Sequence, residues 1–557
     1  MKKNFKRLAA LGLAAAMTIA SLSGCSSGKE PAGSTTEAPK ETTTAAGNAE
    51  STAAPSQAAG EFTDYSAGFP EKVTIQIPIY ERGWEGWDPC DNYWTKWIQE
   101  NFGDKYNVEI EWISIGRSTE VTDFTQLLSA GSAPTIIFHY DYPNILQYYS
   151  EDAYQPLNAE EIAYYAPNYW EKMGDTIQEY GVINDELMVI MGSRTELLSS
   201  NYGTIIRKDW MDKVGVDMPQ NLTEYNDMLR KWKDAGLGYA SDYLLMKSFN
   251  FDYSFRGWPN DAEGRALNSD LAVASLSWEP TKAFLKNMNE QYNEGLITPE
   301  FYLDTDGSQC KADFLSGKAG TWSCYINQNT LTDIENLMAS FPEAELAILD
   351  PAAKAPEGEH PQGRKYWPFG MIYGINEDAT DEQRIAVWMY IEWMNDPEVL
   401  ATLQSGFEGM HYEVKDGIKV SLGYTGEERM SNNDNQDYYC LVASNKSYAT
   451  QEEWAKSIVN ANGPKGYEYL IQEILDYNDK YDEWATPDTC FTVPIASLSE
   501  YSTELATLWQ ESYVKLVRST PEEFDALYDE LSQEYLDAGY QEILDEKKAA
   551  YDAGYYH

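Results

Sequence analysis

Apolar and polar residues alternate along EKVTIQIPIY (71–80), with Val73, Ile75, Ile77 and Ile79 on one side. That period of two predicts a strand with one buried face. A loop rich in charge and tryptophan follows over 81–91, and NYWTKWIQENF reads as a helix. YNVEIEWISI (106–115) is a second strand pattern. TDFTQLLSAGSAP is helical and ends at Gly131, and TIIFHY (135–140) is a short apolar strand opening into Asp141-Tyr142-Pro143. Strand, helix, strand, helix, strand predicts an α/β domain with a largely parallel sheet.

GTIIRKDWMDKVGVDMPQNLTEYNDML begins a second unit. Asn221 followed three residues later by Glu224 predicts a capped helix start. Near the C-terminal end, Thr520, Pro521 and Glu523 predict another start. Phe524, Leu527, Tyr528, Leu531 and Tyr535 fall on one helical face, and Gly539 is the expected stop. No internal repeat is visible.

The N-terminus carries Lys2, Lys3, Lys6 and Arg7, then an apolar run over 8–22, then Leu22-Ser23-Gly24-Cys25. This predicts a signal peptide over 1–24. The run is shorter than the ~20 residues of a comfortable membrane span. The cysteine behind small residues resembles the lipobox of bacterial lipoproteins, which implies lipidation of Cys25. Residues 25–68 are expected to be a tether. Ser, Thr, Ala, Gly, Pro and Glu dominate 26–60, and such a segment cannot bury enough apolar surface to offset ordering entropy. The remaining head, about 490 residues, exceeds the ~250–300 that one core supports, so at least two domains are expected.

A formal net charge of −49 disfavours nucleic acid and anionic lipid as partners, and it also disfavours a highly anionic ligand unless a local arginine cluster overrides the field. Beyond Cys25, the cysteines are Cys90, Cys310, Cys324, Cys440 and Cys490; none has metal-finger or CxxC spacing, and their connectivity is not readable. No HExxH and no GxSxG is present.

Six segments in order resemble the family 1 extracellular solute-binding proteins, particularly the LplA-like lipoproteins of Gram-positive bacteria. They are LLSAGSAPTIIF, IRKDWMDKVGVDMPQNLTEYNDML, DFLSGKAGTWSCY, YWPFGMIYGIN, GFEGMHYEV and the C-terminal TPEEFDALYDELSQEYLDAGYQEILDEKKAAY. The resemblance implies an α/β, two-lobed periplasmic-binding-protein fold of the second type with three hinge crossings, expected near Met191, Leu349 and Gly409. Lobe 1 is then residues 69–191 and 350–409, and lobe 2 is residues 192–349 and 410–557. It also implies a monomer that closes on a solute and hands it to ABC permease subunits, with no enzyme activity and no cofactor.

Aromatic residues make up 13% of the chain, with 17 Trp and 41 Tyr, and this bears on the ligand. Pyranose rings present C–H faces that stack on aromatic rings, while their hydroxyls need a few convergent polar groups. Candidate platforms at loop ends are Trp84, Trp87, Trp258, Trp322, Tyr325, Trp367 and Phe369. Candidate polar groups are Glu81, Arg82, Asp88, Asp141, Arg256, Asn327 and Glu408. Each Trp has the competing reading of a core residue; Trp94, Trp97, Trp388 and Trp393, within helices, are assigned to the core. His139 and His411 are read as structural. Some relatives that import acidic polysaccharide carry an EF-hand-like loop, but here RKWKDAGLGYAS and DTDGSQC (304–310) lack its oxygen spacing, so no metal is expected. Two rival readings share these features: a secreted glycoside hydrolase, for which two carboxylates would suffice, and a surface glycan-binding protein without transport.

Overall fold

The structure, a computed structural model, describes residues 62–557 apart from 196, 199–200, 242–261, 269–272, 305–306, 362–363, 432–434 and 488. Cys25 and its tether, Arg256 and Trp258 therefore lie outside the described residues.

Strand β1 (Val73–Glu81) turns Val73, Ile75, Ile77 and Ile79 inward, as the alternation requires. It pairs in parallel with β2 (Val108–Gly116), from Val73 opposite Val108 to Glu81 opposite Gly116. All four residues of β3 (Ile136–His139) are buried. The Gln76 N–H donates to Thr135 Oγ1 at 2.9 Å, and the Tyr80 and Tyr140 rings stack at 6.2 Å. These two contacts, one at each end, set β3 parallel to β1. β4 (Ile190–Ser193) runs parallel to β3 because both pair antiparallel with the strand β8 (Phe369–Ile375) between them. The C-terminal ends of β1 to β4 therefore share one edge of the lobe.

The second core forms around β5 (Tyr202–Arg207), flanked antiparallel by β6 (Thr321–Tyr325) and β7 (Leu346–Ile348). Long helices pack on it, including Glu279–Asn293, Ala496–Arg518 and Phe524–Tyr535. The first core holds side chains from Phe69 to Met191, then Phe369 to Leu403, then Tyr438 to Ala443. The second holds those from Ile205 to Ala353 and from Leu470 to Ile543. Apart from Cys490, a single later residue packed in the first core, the chain thus changes core three times. The third change falls after Ala443, whereas the sequence placed it near Gly409. The reason lies in residues 412–421. They close as a hairpin, β9 (Tyr412–Lys415) with β10 (Ile418–Ser421), turned by Asp416 and Gly417 at φ 51° and 82°. An Asp-Gly pair with both φ positive is a two-residue hairpin turn, so the chain doubles back there.

The crossings lie side by side. Ser193 exchanges backbone bonds with Val442 and Ser444, Arg194 N–H donates to the Pro368 carbonyl, and Tyr366 N–H donates to that of Leu197.

Local signals in the sequence are largely met. The Asn221 side chain accepts the Glu224 N–H at 2.9 Å, while the Glu224 carboxylate takes the Gln220 N–H at 2.8 Å. Thr520 Oγ1 donates to Glu523 at 2.8 Å, but the helix begins at Phe524, later than expected. Gly539 is a kink, not a stop. At φ 115° it turns the chain, which resumes as the helix Gln541–Asp552. A Cβ there would lie 2.5 Å from the Tyr501 ring, so Gly is required sterically as well as conformationally.

Candidate ligand-binding site

Two parallel strands in register each end one residue before an arginine. Glu81 sits opposite Gly116, so Arg82 and Arg117 leave the sheet as neighbours. After Glu81 the chain turns at Gly83 (φ 69°), whose N–H is held by the Glu81 carboxylate. Arg82 donates Nε and Nη2 to the two oxygens of Asp437, both at 2.7 Å. Its guanidinium lies 5.4 Å from the Tyr80 ring and 5.7 Å from the Trp84 ring. Arg117 donates Nη1 to Glu120 at 2.9 Å and lies over the Tyr80 and Tyr140 rings at 5.0 and 5.6 Å. Rings and guanidiniums thus interleave along the strand ends, an arrangement favoured by the ring quadrupole. Burial, reinforced by Glu120 and Tyr140 and opposed by Arg117, pushes the Tyr80 hydroxyl well above its ordinary value, so it stays a neutral phenol.

His139 ends β3 beneath this layer. Its Nδ1 accepts the Asp141 N–H at 2.8 Å, and its Nε2 makes a close contact with Glu120. The Nδ1 bond makes that nitrogen the acceptor of the pair. His411 is buried too, with Nδ1 accepting from Phe407 N–H at 2.9 Å and Nε2 donating to the Glu428 carbonyl at 2.7 Å. Both histidines hold backbone turns in place.

Among the sequence candidates, the first-lobe edge brings together Glu81, Arg82, Trp84, Trp87 and Asp141. Trp84 and Trp87 are half-buried, and Asp141 is exposed where the helix Tyr142–Ser150 begins. The Trp87 ring lies 5.6 Å from the guanidinium of Arg429, which also donates to the Gly86 carbonyl. Asp88 is exposed at the same loop, accepting the Cys90 and Asp91 N–H groups.

Other candidates fall elsewhere. Trp367 and Phe369 pack with Tyr180 at 5.2 and 5.1 Å beside the hinge strands, and Phe369 is buried. Trp322 is 7% exposed inside the second core, against Phe314. Tyr325, three residues on, is 47% exposed and meets Tyr202 edge-on at 4.9 Å. Asn327 accepts the Asn329 N–H, ordering the turn into the helix Thr330–Ser340. Glu408 is exposed ahead of the β9–β10 hairpin. Asp304 accepts the Gln309 and Cys310 N–H groups, which gives that carboxylate a structural role. Among the described residues, no group of three or more His, Cys, Asp or Glu is placed to hold a metal ion.

Tyr80, Arg117, Tyr140, Arg429 and Asp437 are not among the candidates read from the sequence. Arg117 had a visible signal, since it follows its strand as Arg82 follows the first. Asp437 had none, lying 355 residues from its partner.

Two α/β lobes joined by three crossings, with strand ends gathered along one edge, define a solute-binding protein. The chain belongs to the bacterial extracellular solute-binding protein family, whose model matches residues 89–401. Lipoprotein LipO of Bacillus subtilis strain 168 is 23% identical over 278 residues, 45% of this chain and 52% of LipO, so the match spans about half of that relative. The polygalacturonan/rhamnogalacturonan-binding protein YtcQ of the same strain is 21% identical over 472 residues, 80% of this chain and 86% of YtcQ. Among solved structures, the alginate-binding protein AlgQ2 superposes with a TM-score of 0.57 at 16% identity, covering 88% of this chain and 100% of AlgQ2.

Proposed function

We propose that this protein captures an oligosaccharide outside the cytoplasmic membrane and delivers it to the permease subunits of an ABC importer, without turning it over. The observation that carries this reading is the layer of Arg82, Arg117, Trp84 and Trp87 at the first-lobe strand ends. Ligands of open α/β sheets bind beyond the carboxyl ends of strands. Half-buried indole rings beside guanidinium donors suit a sugar, with a C–H face to cover and hydroxyls to hold. The names of YtcQ and AlgQ2 point to polysaccharide ligands and support the class. Tyr325, exposed on the second lobe, is proposed as a contact from the facing side.

The test is a thermal-shift panel of oligosaccharides with the purified protein. A ligand at a hundredfold excess over its Kd should stabilise the fold by ~2.7 kcal/mol and raise the Tm. Chromatography after long incubation should return the ligand intact. Products accumulating beyond one equivalent would make the protein an enzyme, and a Tm unmoved by every glycan would remove the sugar reading.

Attachment to the membrane is proposed to run through a lipid on Cys25. Cells expressing Cys25→Ala should release the protein into the soluble fraction. Retention in the membrane fraction as firm as wild type would refute the anchor.

A further inference from the structure

We propose that the site selects uncharged oligosaccharides, and that Asp437 and Glu120 set this selection by occupying the arginines that follow β1 and β2. This rests on the strand-end layer being the ligand site.

A uronic sugar offers a carboxylate, whose best partner is the two-pronged edge of a guanidinium. Arg82 has already given one such edge, Nε and Nη2, to Asp437. Arg117 has given Nη1 to Glu120. The two protein carboxylates lie under the layer, with side chains 6% and 4% exposed. A ligand carboxylate that drew either guanidinium away would uncouple a buried carboxylate from its cation, and one that took the remaining N–H groups would share a cation already paired and lie close to a buried like charge; both are unfavourable. The aromatic rings hold the guanidiniums from the sides, so these do not swing freely to a new partner. The other guanidiniums at this edge are engaged as well: Arg429 with the Gly86 carbonyl and Trp87, and Arg194 against Tyr366 at 4.6 Å.

The surrounding charge acts in the same direction. Glu81, Glu85, Asp88 and Asp141 stand on the loops of this edge, in a chain of net charge −49. A polyanion is repelled during approach, while a neutral sugar is not. For a neutral sugar the same groups are useful, because hydroxyls accept from the remaining guanidinium N–H groups and donate to the exposed carboxylates. Selection here comes from an occupied arginine, so discrimination against the acid is built into the apo site.

The experiment titrates the protein with a panel of neutral oligosaccharides, and with uronic oligosaccharides each paired with its full methyl ester. Wild type should bind members of the neutral panel, and any uronic ligand should bind at least tenfold more weakly than its ester. Asp437→Asn releases Arg82 and should move the acid-to-ester ratio at least tenfold toward the acid. Glu120→Gln, which releases Arg117, should move it the same way and provides the readout if the first variant fails to fold, as judged by its urea midpoint. Preference of wild type for the free acid overturns the inference and leaves the sugar reading standing. An unchanged ratio in a folded variant overturns the role of the occupied arginines. If neither class of glycan binds, the sugar reading fails and the inference fails with it.

Discussion

Replacing Asp209 with alanine is expected to lower folding stability by about 3–5 kcal/mol. Arg207 and Asp209 are 1% and 7% exposed, and they meet through two parallel bonds of 2.7 and 2.8 Å. The guanidinium lies between the Trp210 and Phe341 rings at 5.0 and 5.4 Å. Asp209 also accepts the Glu345 N–H at 3.2 Å, so it ties the end of β5 to the start of β7. Truncating it leaves a charge without water or partner, which is costlier than the pair is worth. Urea titration of the variant checks the value, and a loss below ~1 kcal/mol would contradict it. The pH dependence has a definite sign. Burial alone would raise the Asp209 carboxyl, but the bond and charge of Arg207, the Glu345 N–H and Lys213 outweigh it and hold the group below its ordinary 3.8. A carboxyl depressed in the folded state stabilises above its unfolded pKa, and that stabilisation fades as pH falls through the folded value. The gap between wild type and Asp209→Ala should therefore be level near neutral pH and narrow below 3.8.

The first-lobe strands were legible for two reasons: β1 has a strict period of two, and β3 is a short, fully buried run. Val73 to Ile79 alternate, and β3 is a bounded apolar run; both patterns are local consequences of which face meets the core. The sheet's order was not legible, because the antiparallel strand β8 enters between β3 and β4 from more than 170 residues downstream of β4. No local signal encodes such a pairing. The third crossing was misplaced for a related reason. The GFEGMHYEV segment resembles a crossing segment, whereas the Asp416-Gly417 pair just beyond it carries a stronger signal for a hairpin. Gly539 shows the limit of a stop signal, since the same residue serves a kink when a tyrosine ring occupies the space its side chain would need.

The candidate site divides along the same line. Arg82, Trp84 and Trp87 could be named because they follow a recognisable strand. Whether Arg82 is free to take an anion depends on Asp437, and that contact exists only in three dimensions. Trp367 and Phe369 are chain neighbours of the hinge, yet their rings turn toward Tyr180. Position along the chain gives proximity, and packing decides the face.

Trp322→Ala is expected to lower folding stability by ~3–5 kcal/mol, the range for truncating a buried aromatic. On β6 successive side chains point to opposite faces. Trp322 and Cys324 face the second core, where the indole lies 5.8 Å from Phe314, and Lys311 Nζ lies 5.8 Å from its ring. Its strand partner Ile205 is fully buried. A sugar platform needs an open ring face, and the core covers this one. Tyr325, on the opposite face at the strand's end, is 47% exposed, with its ring edge-on to Tyr202. The sequence could not separate the two, because both follow the same SGKAG turn and the phase of the strand is set by what it packs on. The variant should show a large fall in urea midpoint, while its folded fraction binds oligosaccharide within about threefold of wild type, a difference of ~0.6 kcal/mol. An unchanged midpoint with a tenfold loss of affinity would return Trp322 to the site and overturn its assignment to the core.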